Sequence, residues 1–247
     1  MNAYKTMLKT EIKLSLRGMD MLIFAIIMPI IVLVVIGNIY GDKAAFEGAS
    51  FTFVQQSFGA LTSIAICAGG VMGLPLVISD YRSKQILKRF KVTPISPVTI
   101  LLVEISIYFL YALISLLTLF AVATIFFDFR MQGSLIHFML GWLLVLVSMF
   151  SIGMMVGGIA KNTKVAGIIA SLLYFPMLIF SGATLPYEVM PPVMQKVVDF
   201  LPLTQGIKIL KSATLNLPMD NVLLPIISMS AIAIVCSIIA IRYFQWE

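Results

Sequence analysis

Charge is scarce in this sequence, and the scarcity excludes most soluble folds. Asp, Glu, Lys and Arg together make up 11% of the 247 residues, apolar types make up 60%, and mean hydropathy is +1.05. A soluble domain carries roughly 25% charged residues. Cysteine is confined to Cys67 and Cys236, both inside apolar runs, so neither a disulfide framework nor a thiolate metal cluster is indicated. His137 is the one histidine and has no ligand-spaced companions. The sequence also lacks a GxxxxGK[ST] phosphate loop. No carboxylate pair, Ser/His/Asp set or Cys/His cluster has a spacing that suggests catalysis. The alternation of apolar and polar residues that marks a membrane barrel is missing as well.

Continuous apolar runs dominate instead. Crossing hydrocarbon takes about 20 mostly apolar residues in helical form, because lipid cannot satisfy an open backbone. Six runs meet that length, so the fold class expected is an all-α integral membrane protein forming a single transmembrane domain over 1–247. The spans expected are about 21–40, 58–79, 99–127, 135–160, 165–185 and 221–241. Pro29, Pro75, Pro176 and Pro225 fall within runs, where a kink or plain packing accommodates them. Gly37/Gly41, Gly69/Gly73 and Gly153/Gly157 have the spacing that permits close helix approach.

Residues 1–20 carry six charges and no short apolar core, unlike a cleavable signal peptide. Tyr4, Leu8, Ile12 and Leu16 recur every four residues beside Lys5, Lys9, Lys13 and Arg17. On a helix these form an apolar stripe flanked by a basic one, suited to the membrane interface; a merely positive tail that sets orientation is the alternative. Before the last span, Val189, Val193, Val197 and Leu201 repeat with the same spacing. With Pro191 and Pro192 in its first turn, a short helix is expected to run to about Leu201, where Pro202 breaks it. A second is expected from Ile207. Within 187–211 these short outer helices need cover, either by re-entering the outer leaflet or by packing over the spans.

Seventeen Lys and Arg against eleven Asp and Glu give a net charge of +6. In a soluble protein that balance would suggest nucleic acid; here basic residues hold connections on the cytosolic side, so no nucleic-acid partner is expected. With the N-terminus inside, segments 1–20, 80–98, 161–164 and the tail after 241 hold four, five, two and one Lys or Arg, twelve of the seventeen. The excess places both termini in the cytosol. The densest cluster is Arg82, Lys84, Lys88, Arg89 and Lys91, in the connection 80–97 after the second span. Among Asp, Glu, Lys and Arg, Glu104 alone falls inside the runs. It lies near the cytosolic end of its span, where it can snorkel or pair with Arg89 or Lys91, or serve as a coupling site. A carrier driven by protons or sodium usually needs more buried charge than this.

These features resemble the membrane subunit of type-2 ATP-binding-cassette exporters, the ABC-2 type permeases, over essentially the whole length. Two local matches are the most specific. The run Lys88-Arg89-Phe90-Lys91-Val92-Thr93-Pro94-Ile95-Ser96 is similar to the family's basic-hydrophobic-x-Thr-Pro-x-Ser signature. Leu201-Pro202-Leu203-Thr204 with Gly206 is similar to the motif entering the last outer helix. The sequence departs from the family where Asp80 stands near an acidic position and Lys84-Gln85 replaces a Gly-Thr pair, which bears on the docking contacts rather than on membership.

The resemblance implies a prokaryotic plasma-membrane permease, itself not an enzyme, paired with an identical or sister permease and bound to a separate cytosolic ATPase that holds ATP and Mg. The chain itself then needs no cofactor or metal. Asp80–Thr93 would be the coupling helix, with Ile86, Leu87 and Phe90 in a groove of the ATPase and Arg82, Lys88 and Arg89 meeting acidic groups or lipid headgroups. The alternative is that these charges only anchor the loop. Spans one, two and five would line the dimer interface. Phe24, Phe58, Tyr174 and Phe175 are candidates for the path of an amphipathic drug, lipid or peptide, and the same side chains suit contact with membrane lipid. Polysaccharide or ion export in the same family, an autonomous secondary carrier, and a non-transporting sensor or immunity subunit are the competing functions.

Overall fold

A computed structural model of the chain describes residues 3–15, 22–41, 43–45, 49–85, 97–181, 190–218 and 222–243. Among the described residues there are helices and one isolated bridge, Ala44 to Thr52, and no strand. Helix α1 (Ala3–Ser15) precedes the first span, in which a π-helical turn (Ile23–Ile27) runs into α2 (Met28–Tyr40). The second span joins α3 (Phe53–Cys67), another π-helical turn (Ala68–Gly73) and α4 (Leu74–Ser83). Then follow α5 (Pro97–Phe127), α6 (Leu135–Ile159), α7 (Thr163–Phe180), the short α8 (Pro192–Val198) and α9 (Pro202–Leu215), and α10 (Leu223–Tyr243). Six of these stretches are long and apolar enough to cross a membrane. The protein is an all-α, multi-pass membrane protein.

The helices begin and change pitch where the sequence demands it. Thr52 caps α3 with a reciprocal pair of bonds: its hydroxyl accepts from the Gln55 N–H at 3.2 Å, and its own N–H donates to Gln55 Oε1 at 2.9 Å. The second span therefore starts at Phe53, earlier than apolarity alone indicates. Proline lacks an N–H and crowds the carbonyl four residues back. For Pro29 and Pro75 those carbonyls belong to Ala25 and Val71, and each lies inside one of the π-helical turns. The wider turn accommodates the ring without breaking the span. Asn162 opens α7 by accepting the Val165 N–H at 2.9 Å.

Helix α1 turns Tyr4, Met7, Leu8 and Ile12 toward the bundle and keeps Lys5, Lys9 and Lys13 exposed. It lies along α5, with Tyr4 hydroxyl to Ser106 Oγ at 2.7 Å and Ser15 Oγ to Tyr111 hydroxyl at 2.5 Å. The second span is the most enclosed: 78% of its most apolar stretch is buried, against 28% in the first and 22% in the fifth. Small residues bring α6 onto it. A Cβ at Gly153 would sit 1.9 Å from the Gly70 carbonyl oxygen, and one at Gly157 would meet Pro75 and Ile78 at about the limit of contact. Span two thus spends its surface inside its own chain, unlike spans one and five, whose outward faces stay open.

Helix α9 lies inside the bundle among α3, α6 and α10. Ala213 faces Gly133, Ile209 faces Gly141 and Val145 faces Gly206, so α9 runs antiparallel to α6 with its Pro202 end toward the middle of that helix. Pro202 both ends the preceding turn and opens this helix, which starts five residues before the expected Ile207. The α8–α9 turn is held by Lys208 Nζ on Asp199 Oδ1 at 2.6 Å. Near the opposite end of α6 from the 80–97 connection, Phe58 packs against Phe129 at 4.5 Å and Phe138 at 5.8 Å.

Candidate coupling corner and acidic cleft

The residues of interest gather where α4 ends. Arg82 is 6% exposed and turns inward. Its Nη2 donates to the carbonyls of Gly157 at 3.1 Å and Gly158 at 2.9 Å, and its Nη1 donates to that of Ala160. The last carbonyls of a helix have no partner within it and carry the negative end of the dipole. A guanidinium, with five donors in a planar fork, fits several of them at once. Beside it, Ser83 Oγ lies 3.0 Å from Thr163 Oγ1 at the start of α7. The end of α4 is thereby pinned to the α6–α7 turn. Lys84 pairs with Asp80 at 2.7 Å at the exposed surface, and Gln85 takes a left-handed backbone with φ of 55°, which ends the helix.

Ile86, Leu87, Lys88, Arg89 and Phe90, the other coupling candidates, lie outside the described residues, as does the Thr93-Pro94-Ile95-Ser96 signature. The four path candidates are not brought together. Phe58 is 0% exposed and belongs to the aromatic core, so it offers no face to a cargo within this chain. Phe24 on the first span and Phe175 on α7 are 52% and 50% exposed. Tyr174 is buried, with its ring 5.6 Å from that of Phe175.

Glu104 does not snorkel. It is 4% exposed, and its Oε1 accepts the Tyr81 hydroxyl at 2.7 Å. It lines a cleft of about 370 Å³ between α1, α4, α5 and the start of α7, together with Glu11, Ser15, Asp80, Tyr81, Tyr108 and Thr163. Sequence reasoning missed this pairing because Tyr81 and Glu104 stand on different helices, 23 residues apart. It also missed the inward turn of Arg82, whose partners are backbone groups that leave no residue-type signal.

The fold defines a polytopic helical membrane protein, and comparison with known proteins gives the family. The sequence profile of the ABC-2 type transporter family matches residues 2–215, and the chain belongs to that family. It is 28% identical over 169 residues to the inner membrane transport permease YhhJ of Escherichia coli, an alignment covering 68% of this chain and 42% of that protein. The chain thus spans well under half the length of that relative. It is also similar to nodulation protein J of Neorhizobium galegae, 31% identical over 74 residues, which is 30% of this chain and 28% of that protein. The same protein of Rhizobium leguminosarum bv. viciae is 34% identical over 76 residues, 31% of this chain and 29% of the relative.

Proposed function

We propose that this chain is the transmembrane permease subunit of an ATP-driven exporter in a prokaryotic plasma membrane. In this reading ATP and Mg are bound and ATP is hydrolysed on a separate cytosolic subunit, and an amphipathic drug, lipid or peptide leaves the cytoplasm or the inner leaflet. The observation that carries it is the family match through residues 2–215, which takes in the basic connection 80–97 of a sequence without a phosphate-binding loop. The chain then works as one half of a dimer with both termini cytosolic. The exposed outer faces of the first and fifth spans, with Phe24 and Phe175, supply the surface where two permeases meet or a lipid-like cargo passes.

Coupling runs through the corner described above. Ile86, Leu87 and Phe90 seat in the ATPase, with Lys88 and Arg89 at the rim. Arg82 acts from behind them: its bonds to Gly157, Gly158 and Ala160 make a push on 80–97 a push on α6, and the contact of Ser83 with Thr163 carries it to α7. Replacing Leu87 and Phe90 with Asp should abolish co-purification of the ATPase and leave membrane insertion intact. An unchanged yield of the complex would remove the coupling role from this segment.

A further inference from the structure

The cleft beside the coupling corner has a charge that nothing described around it balances. Three carboxylates line it, Glu11, Asp80 and Glu104, and Asp80 is already taken by Lys84 at 2.7 Å. Glu11 and Glu104 form no ion pair among the described residues. Glu104 is more than nine-tenths buried, and Tyr81 serves one of its two oxygens; the other has no hydrogen-bond donor among the described residues. A carboxylate withdrawn from water stays charged only where a counter-charge and donors for its remaining lone pairs are supplied; otherwise it takes up a proton. Among the described residues, no Lys, Arg or His lines this cleft.

The rest of the lining says what kind of counter-charge fits. The described residues contain no cluster of three acidic, His or Cys side chains able to hold a metal ion. The walls instead offer the rings of Tyr81 and Tyr108 and the aliphatic side chains of Ile107 and Leu76. Aromatic faces attract a cation through their quadrupole, most strongly one that sheds its water readily. At about 370 Å³ the cleft lies near the lower end of the roughly 300–1,000 Å³ found for small-molecule sites. We propose that this cleft binds a small organic cation, an alkyl- or arylammonium group, with its charge received by Glu104 and Glu11 and its apolar body against Tyr108, Ile107 and Leu76. As a statement about cargo this rests on the exporter reading. As a statement about binding it needs no ATPase, so the two fail separately.

Ethidium, a fluorescent aromatic cation, serves as the probe. The full chain in lipid nanodiscs is titrated with it by fluorescence anisotropy, and protein-free nanodiscs supply the lipid background. The expected result is saturable binding, displaced by tetraethylammonium and weakened by about 30-fold or more in Glu104→Gln, as for loss of one partner of a buried charge pair. Glutamine keeps an acceptor for the Tyr81 hydroxyl, so the fold is expected to persist. Should that variant not fold, Glu11→Gln on the half-buried face of α1 provides the same reading with a smaller loss. Absence of saturable binding above the lipid background, or unchanged affinity in the variant that folds, overturns the site. Loss of ATPase co-purification with ethidium binding intact would overturn the exporter reading and leave the site standing.

Discussion

A guanidinium removed from water must meet acceptors on several sides, and Arg82 finds them in the carbonyls at the end of α6. Truncation would leave those carbonyls unmet inside the protein. Hydrogen bonds to a charged group contribute about 1.5–3 kcal/mol, and orphaned acceptors add to the loss. Arg82→Ala should therefore lower the thermal unfolding midpoint of the detergent-solubilised protein by several degrees, and Arg82→Lys, with a point charge in place of a fork, should recover only part of it. Equal midpoints for all three proteins would show that the guanidinium contributes nothing to the corner. At this scale the sequence is partly legible. The apolar stripe of Tyr4, Leu8 and Ile12 could be read because helical periodicity is written into residue type, and the stripe does face the bundle. The burial of Arg82 and Glu104 could not, because their partners are a backbone and a tyrosine brought in from other helices.

At the scale of elements, two spans each accommodate a proline by widening a turn, and α6 closes on one of those turns through glycine. The Gly70 carbonyl stands where a Cβ at Gly153 would be, 1.9 Å away, whereas a Cβ at Gly167 on α7 would find its nearest neighbour, Leu76 Cδ2, at 3.5 Å. Gly153→Ala should thus force the helices apart and cost about 1–3 kcal/mol, as overpacking does. Gly167→Ala should be neutral or stabilising, by up to about 1 kcal/mol from helix propensity. Thermal unfolding of the two variants side by side checks the contrast; two equal effects would contradict the packing described. Run length makes the six spans legible, since hydrocarbon thickness fixes how many apolar residues a crossing needs. The start of α3 at Phe53 was not read from apolarity, although its Thr52 and Gln55 form a cap that sequence can show. The insertion of α9 into the bundle was left open between two places, because an apolar stripe shows that a helix is covered and not by what.

For the whole molecule, the account sets the 80–97 connection and the α6–α7 turn on the cytosolic side, and the 128–134 connection outside. Lys84, with a side chain 64% exposed, and Arg130, at 81%, mark the two ends. Cys67 and Cys236 are buried and give little background to a polar thiol reagent. A membrane-impermeant maleimide applied to intact cells should label Arg130→Cys and spare Lys84→Cys, and inverted vesicles should give the opposite pattern. The same pattern with the two positions exchanged would invert the topology. The excess of basic residues is what makes this orientation the one expected, and the labelling tests it; a partner's surface leaves no trace in a single chain beyond the motif that would meet it.

The central claim is that this permease is driven by an ATPase on another chain. The most direct measurement is to isolate the tagged protein from native membranes in mild detergent and identify by mass whatever accompanies it. The account predicts an ATPase bearing a phosphate-binding loop, at one copy per permease, with a second permease in the same complex. Recovery of this chain without any ATPase, under several gentle conditions, would contradict the account and favour a carrier that works alone.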